Sequence, residues 1–459
     1  GGGTHLPDVS LAMPVFADGQ LLGFVCNIAH HADIGGMSPG SMAGGMKDIY
    51  QEGLRIPVVK LFRKGKLDQD IFDILLLNVR VREERRGDYN AQFSALHLAA
   101  RRLFEMINKY SGDVIRNVFN EIIDRTYERM LSAITLIPDG VYRFEDVMDD
   151  DGREAVNVPI NLTATIKGKS ALFDFAGTSS QTPGNINIPL HGTKAAVCYV
   201  LKAMLDPEIP NNQGVLDAVE VVAPMGTMVS CIAPASVAAR AHTSQRIIDV
   251  VIGALSSALP EAAVGAANGA NTMAVFAGND PETGEPYVYL ETLGGGFGGR
   301  NDRDGKDGVQ VHITNTSNLP IEAIEMEYPL RVDRYGFIPD SGGAGKYRGG
   351  LGLQRVVRPI GHTCIFNGVG ERFRNSPWGI FDGCSGQSGS FWLEEDQCLP
   401  IQLSHKPPDM PLKPNQALVV NTPGAGGYGD PKKRSKELIK SDKVSGKFSD
   451  KFLRKFYKN

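Results

Sequence analysis

The alternation of apolar and polar positions changes character several times along the chain. Near the start, VSLAMPVF and LLGFVCNIA are two extended, largely apolar runs separated by ADGQ. The Asp18-Gly19 pair in that separator suits a two-residue turn, so residues 9–30 are predicted to form a β-hairpin. Pro14 has no N–H to give and confines the first run to an edge. From Ala91 to Ile134 the apolar spacing becomes three and four, through Leu98, Leu103, Met106, Ile107, Val114, Val118 and Ile122, which predicts helix. Lys109-Tyr110-Ser111-Gly112 breaks the pattern and makes it two helices. Beyond Gly140, short alternating runs such as NVPINLTATI and ALFDFAG lead to about residue 260, ending in the helix-like RIIDVVIGALSSAL. From Ala263 onward glycine is dense, which predicts short strands between turns.

These changes divide the chain into a hairpin-and-helix unit at 1–135, a mixed α/β region at 136–262, a glycine-rich mixed β region at 263–430 and a tail at 431–459. The tail carries eleven Lys and Arg against three Asp and Glu and has no sustained apolar face, so a solvated segment or frayed helix is expected. No repeat of fixed period is present. The predicted fold class is α+β: a mixed multi-layer fold with an N-terminal hairpin, a helical segment and a glycine-rich, β-containing C-terminal half.

Composition narrows the class without choosing a function. At 459 residues the chain exceeds the size at which one hydrophobic core usually stops growing. Its 42% hydrophobic and 22% charged residues are those of an ordinary globular protein, and a net charge of −4 gives no global attraction for nucleic acid or anionic lipid. No apolar run approaches the roughly 20 residues that span a bilayer. The first residues, GGGTHLPDVS, have neither an initiator Met nor a signal-peptide pattern, so a soluble, N-terminally truncated chain is expected. Six cysteines without a C-x-x-C pair argue against a disulfide framework or a cysteine-zinc site and point to the reducing cytoplasm.

The chemistry concentrates where the second apolar run stops at HHADIGG, His30 to Gly36. A tight turn at Asp18-Gly19 would put Asp8 opposite Ala29 and His5 opposite Ala32, bringing THLPD and HHAD to one end of the hairpin. His5, Asp8, His30, His31 and Asp33 would then lie within one small volume. Imidazole and carboxylate without thiolate suit zinc, manganese or iron with an open coordination position. Strict alternation puts His5 and His30 on one face and Asp8, His31 and Asp33 on the other. Convergence therefore requires the ends to leave regular strand geometry, for which Pro7 and Gly35-Gly36 provide.

Other motifs carry less. Gly345-Lys346 is followed by Tyr347, so the chain offers no phosphate-binding loop with a magnesium-ligating hydroxyl. GGGFGGR, Gly294 to Arg300, could cradle an anion beside Arg300 and Arg303, although glycine clusters are more often tight turns. His312, Asn315, Asn318, Glu322 and Glu325 in HITNTSNLPIEAIEME read first as turn polarity and surface carboxylates. Glu52 in QEGLRIP could exchange protons near a metal, against the ordinary reading of an exposed surface group. His242 in RAHTS is similarly divided.

THLPD, HHADIGGMSPGSM, QEGLRIP and NVRVREERRGDYNAQ together resemble the hydantoinase B family, the B-type subunits of ATP-dependent hydantoinases, oxoprolinases, lactamases and acetone or acetophenone carboxylases. The likeness continues through GNIN, PASVAARAHTSQRI, GGGFGGRNDRDGKDGVQVHITNTSNLPIEAIE and NTPGAGGYGDP, nearly to Pro431. The resemblance implies a metal-bearing subunit that works with an ATP-hydrolysing A-type subunit. By motif, the family's H-x-x-D falls on His5 and Asp8 and the first histidine of its H-H-A-D on His30, with a further acidic ligand from a segment ahead of this point. A divalent ion, zinc or manganese first, would assist opening of a phosphorylated cyclic amide (hydantoin, oxoproline or lactam), with His31, Asp33 or Glu52 moving protons. The same site could hold an enolate for carboxylation. A third expectation is a non-catalytic scaffold with a structural metal. No nucleic acid or membrane partner is expected.

Overall fold

The computed structural model describes residues 4–269 and 271–457. It opens with the hairpin, β1 (Asp8–Ala17) and β2 (Gln20–His30), whose turn residues Asp18 and Gly19 both have positive φ, 50° and 77°. A loop carrying the small ribbon β3 (Phe62–Arg63) and β4 (Lys66–Leu67) leads to three helices, α1 (Gln69–Leu77), α2 (Arg82–Tyr110) and α3 (Gly112–Ile134). The break at Ser111 falls where the sequence placed it. α2, however, starts at Arg82 rather than near Ala91, because Glu83 and Glu84 complement the positive end of the helix dipole.

The middle of the chain contributes β5 (Gly140–Asp150), β6 (Val156–Lys167), β7 (Ser170–Asp174), α4 (Leu190–Leu205), α5 (Gln213–Asp217), β8 (Glu220–Val222) and α6 (Arg240–Leu255). The strands form one sheet in the order β5-β6-β7-β8, antiparallel except for the parallel pair β7-β8. β6 alternates as its sequence predicts, burying Val158, Ile160, Leu162, Ala164 and Ile166. α6 packs on β5, β6 and α4 and is buried from His242 to Leu255.

The glycine-rich part forms β9 (Thr272–Asn279), β10 (Pro286–Leu293), α7 (Ile321–Glu327), β11 (Leu330–Phe337), β12 (Leu353–Pro359), β13 (Cys364–Val369), β14 (Ser390–Glu395), β15 (Ile401–Gln402), β16 (Met410–Leu412) and β17 (Gln416–Asn421). Two sheets result, in the orders β10-β9-β13-β16 and β11-β12-β17-β14-β15. One core cluster draws Ile134 from α3, Ile160 from β6, Val251 from α6 and Val275 from β9, so residues from three of the four sequence-based units pack together. The fold is thus mixed α and β with several sheets.

One expectation needs correction. The basic segment is not a solvated tail: α8 (Lys436–Val444) and α9 (Asp450–Phe456) bury Phe448, Leu453 and Tyr457 against Ala344 and Leu351. Its cations are partly internal too, since Arg434 pairs with Asp304 and Asp442, both at 2.7 Å. Conversely, Leu98, Met106, Val114, Val118 and Ile122 have helical spacing yet are 44–47% exposed, so their apolar face is not covered by the described residues. Among those residues no helix is long and apolar enough to cross a membrane.

Candidate functional site

Asp8 pairs directly with His30 across the hairpin, and paired residues of an antiparallel ribbon project on the same side. The register expected from the tight turn is off by one here. Val15 faces Gly23 while Phe16 faces Leu21, so Leu22 is an extra residue in a β-bulge that moves Asp8 from Ala29 onto His30. Just ahead of β1, His5 places its ring centroid 5.0 Å from that of His30 and its Nδ1 2.8 Å from Asp8 Oδ2.

Arg240, opening α6, completes the cluster: its Nη2 donates to Asp8 Oδ2 at 2.7 Å and lies 3.1 Å from His5 Nδ1. Burial lowers the His5 pKa despite the hydrogen bond to Asp8. His30 keeps an open side to solvent, yet desolvation by the protein crowded around its ring, and then His5, lower it to about 4. Burial alone would raise the Asp8 carboxyl, but the His5 hydrogen bond and the charges of His5 and Arg240 outweigh it and hold it well below the usual carboxylate range. Two neutral imidazoles and one ionised carboxylate are the donor states a divalent cation requires. The donor chemistry fits an ion, whereas the present spacing is not a formed cage. Among the described residues no group of three or more His, Cys, Asp or Glu side chains could hold one as it stands.

The segment leading into α6 also receives Glu52. Its Oε1 accepts from Ser236 Oγ at 2.6 Å, Val237 N at 2.5 Å and Ala238 N at 3.1 Å, while Oε2 has no partner. Far from being an exposed group, Glu52 is fully buried, and that burial, against its three hydrogen bonds, raises its pKa to about 7. The IGG and EG stretches permit this fold: a Cβ on Gly36 (φ +83°) would meet Gln51 O at 2.5 Å, and one on Gly53 would meet Ile34 O at 2.6 Å. GNIN joins the same hub, with Asn187 Nδ2 donating to Ser236 O at 2.9 Å and Ala239 N to Asn185 O at 2.9 Å. Two residues beyond Arg240, His242 is buried, and desolvation followed by the charges of Lys406, Arg246 and Arg240 lowers its pKa to about 3.

The structure therefore brings His5, Asp8 and His30 together but sends His31 and Asp33 elsewhere. His31 turns to α2, with Nε2 3.1 Å from Gln92 Oε1 and its ring 4.7 Å from Tyr89. Asp33 is a buried clasp that accepts from Gly35 N, Gly40 N, Arg80 N and Arg80 Nη1. Among the described residues no hydrogen bond or ion pair links His31, Asp33 or Glu52 to the three donors. Sequence reasoning missed Arg240, whose only signal is its place two residues before His242 in RAHTS.

GGGFGGR is not an anion cradle. The amides of Gly295, Gly296, Phe297, Gly299 and Arg300 all donate to protein carbonyls, and the glycines admit close passage of other chain segments. Nor does a cavity of about 600 Å³ between α4 and α5, lined by Cys198, Tyr199 and Lys202, contain any residue of the donor cluster. A smaller one of about 420 Å³ borders Gly36, Gly53 and Asn78 beside the Glu52 turn. Neither cavity brings together imidazole and carboxylate side chains as the hairpin end does.

Residues 1–431 match the family model described as hydantoinase B/oxoprolinase. A putative D-/L-hydantoinase B-type chain from Pseudomonas sp. (strain NS671) is 34% identical over 97% of this chain and 77% of its own length. The crystal structure of an ATP-dependent caprolactamase from Pseudomonas jessenii superposes with a TM-score of 0.92 at 27% identity, covering 98% of this chain and 79% of that one. A nucleotide-free acetone carboxylase structure shares the fold, with a TM-score of 0.91 at 18% identity over 99% of this chain and 67% of the other.

Proposed function

The chain belongs to the hydantoinase B/oxoprolinase family, and from that membership we propose that it is the metal-bearing B-type subunit of an ATP-dependent cyclic amidohydrolase. The observation that carries this reading is the Asp8–His30 pair with His5 beside it, inside the region that matches the family. His5, Asp8 and His30 would hold a zinc or manganese ion, which when bound would polarise a carbonyl oxygen or acidify a water. Glu52 and Asp33, which among the described residues make no hydrogen bond or ion pair with the trio, have separate parts. Glu52, with a pKa of about 7, holds or releases a proton near neutral pH. Asp33 clamps the loop after β2 onto Arg80 and so fixes where His30 ends.

Ring amides are poor electrophiles, and no segment of this sequence forms a phosphate-binding lysine loop, so activation by ATP is assigned to an A-type partner. Ring opening of a hydantoin, oxoproline or lactam ranks ahead of ketone carboxylation, because the hydantoinase chain and the caprolactamase are 34% and 27% identical and the acetone carboxylase 18%. A cytoplasmic location accords with six free cysteines.

The test is to measure phosphate release and ring opening for this chain, for an A-type subunit and for the mixture, with ATP and a divalent metal. Turnover only in the mixture is the expected result. ATP-independent ring opening by this chain alone, abolished by His30→Ala, would keep the site and overturn the division of labour. Ring opening indifferent to that substitution would overturn both.

A further inference from the structure

Ile56, Pro57, Val58 and Val59 stand exposed in a row in the loop after the Glu52 turn, and Val58 is fully so. Such a run is unfavourable in water unless a function keeps it there. Among the described residues no backbone amide or carbonyl from Arg55 to Lys60 has a hydrogen-bond partner, and the segment is neither helix nor strand. The apolar surface continues through Tyr50, in the wall of the 420 Å³ cavity, and through Ile74 and Leu77, on the helix that ends at Asn78 in the same wall; these three are 58–66% exposed. Over the Tyr50 ring lies the Arg55 guanidinium, 5.0 Å from the centroid, a pairing of residue types that anchor protein interfaces. Residues 55–67 carry five Lys and Arg and no Asp or Glu, and among the described residues only Arg63 of these cations has a carboxylate partner, Asp68.

We propose that this strap, Arg55 to Lys66 with the apolar surface beside it, is where the ATP-hydrolysing A-type subunit docks, an inference that rests on the division of labour proposed above. The partner it fits presents carboxylates around an apolar anchor: the unpaired cations steer and orient an acidic surface, and the cavity receives the anchor. The bare backbone selects a protein over a lipid surface, because amides and carbonyls taken out of water need hydrogen-bonding groups that hydrocarbon lacks. Position selects the A-type subunit. Gly36, in the cavity wall, belongs to the HHADIGG stretch that His30 opens, so a subunit seated here lies on the loop that leaves the candidate site. A phosphorylated amide released into bulk water is open to wasteful hydrolysis, and docking beside the site shortens its exposure.

The experiment measures the affinity of the purified A-type subunit, at low and high salt, for wild type, Val58→Asp, the double variant Lys60→Glu with Lys64→Glu, and Leu399→Asp. Leu399 is the control, an apolar side chain 89% exposed between β14 and β15. Val58→Asp should weaken binding by about tenfold or more, the double variant should weaken it and flatten its salt dependence, and Leu399→Asp should stay within about twofold of wild type. If a variant fails to fold, hydrogen exchange of the wild type still decides: the unpaired amides of Ile56, Val58, Val59 and Lys60 should slow in the complex, and unchanged exchange overturns the proposal. Wild-type binding that Val58→Asp leaves intact overturns the docking surface and keeps the division of labour. A wild type that does not bind the A-type subunit overturns both. A wild-type dimer in light scattering that Val58→Asp dissociates, or binding to phosphatidylserine vesicles that the charge reversal abolishes, gives the strap another occupant and overturns the docking as well.

Discussion

Asp8 and His30 face each other directly across the N-terminal hairpin, and they do so because Leu22 is extra. Without that bulge the tight turn would set Asp8 against Ala29 and turn it away from His30, since a one-residue slip reverses the face of every side chain. One inserted residue near the turn thus decides, at the far end of two strands, whether a carboxylate and an imidazole meet.

Glu52 should give the protein a specific pH dependence. Its carboxyl has a higher pKa folded, about 7, than the ordinary 4.5 it regains on unfolding, so the folded state binds the proton more tightly. The resulting stabilisation is fully present below 4.5 and is lost as pH rises through 7, a change of roughly 3 kcal/mol across the window. Glu52→Gln keeps an oxygen that accepts from Ser236 and Val237 but cannot ionise. Denaturant unfolding at pH 5 and pH 8 should therefore show wild type losing stability relative to Glu52→Gln; parallel losses would mean that Glu52 does not titrate in this range.

The glycines of the C-terminal half are predicted to be unequal. A Cβ on Gly298 would fall 1.8 Å from Gly265 O, inside hard contact, so Gly298→Ala should cost about 3 kcal/mol or more, or prevent folding. Gly23, in β2, has nothing within 4 Å of the added carbon, and Gly23→Ala should change stability by less than about 0.5 kcal/mol. Thermal melts of the two variants check the pair. Similar melting temperatures would contradict the close packing of the glycine segments.

Ending the chain at Asp430 should lower the melting temperature by many degrees. The cut removes Phe448, Leu453 and Tyr457 from their cluster and strips Arg348 of Asp442. Leu453→Ala alone should cost about 2–4 kcal/mol. A truncated chain that melts with the intact one would show that these helices add nothing to the fold.

Much of this architecture was legible in the sequence wherever the deciding interactions are local. Asp18-Gly19 announces its turn, Ser111-Gly112 its break, and NVPINLTATI its buried face. The bulge was signalled only by Gly23, a glycine inside a strand. Burial of the C-terminal helices was hidden because Leu453 and Tyr457 sit among lysines and pack on Ala344 and Leu351, about a hundred positions earlier in the chain. Glu52 looked like a surface carboxylate for the same reason, since its hydrogen-bond donor Ser236 is 184 residues away. His5, Asp8 and His30 could be grouped because a hairpin joins them. Arg240 reaches them from a helix more than two hundred residues on, and its place two residues before His242 is the only local mark it carries.

Metal content per chain tests the central claim most directly. Metal-stripped wild type, His5→Ala, His30→Ala and His405→Ala are each exposed to zinc or manganese, freed of excess, and measured by elemental analysis. His405 is the control, because its Nδ1 lies 2.9 Å from Asp150 in a separate ion-pair group. Wild type and His405→Ala should retain about one ion per chain, while His5→Ala and His30→Ala, each lacking a ligand, lose most of it. Equal, full occupancy in all four proteins would contradict the assignment of the hairpin end as the metal centre.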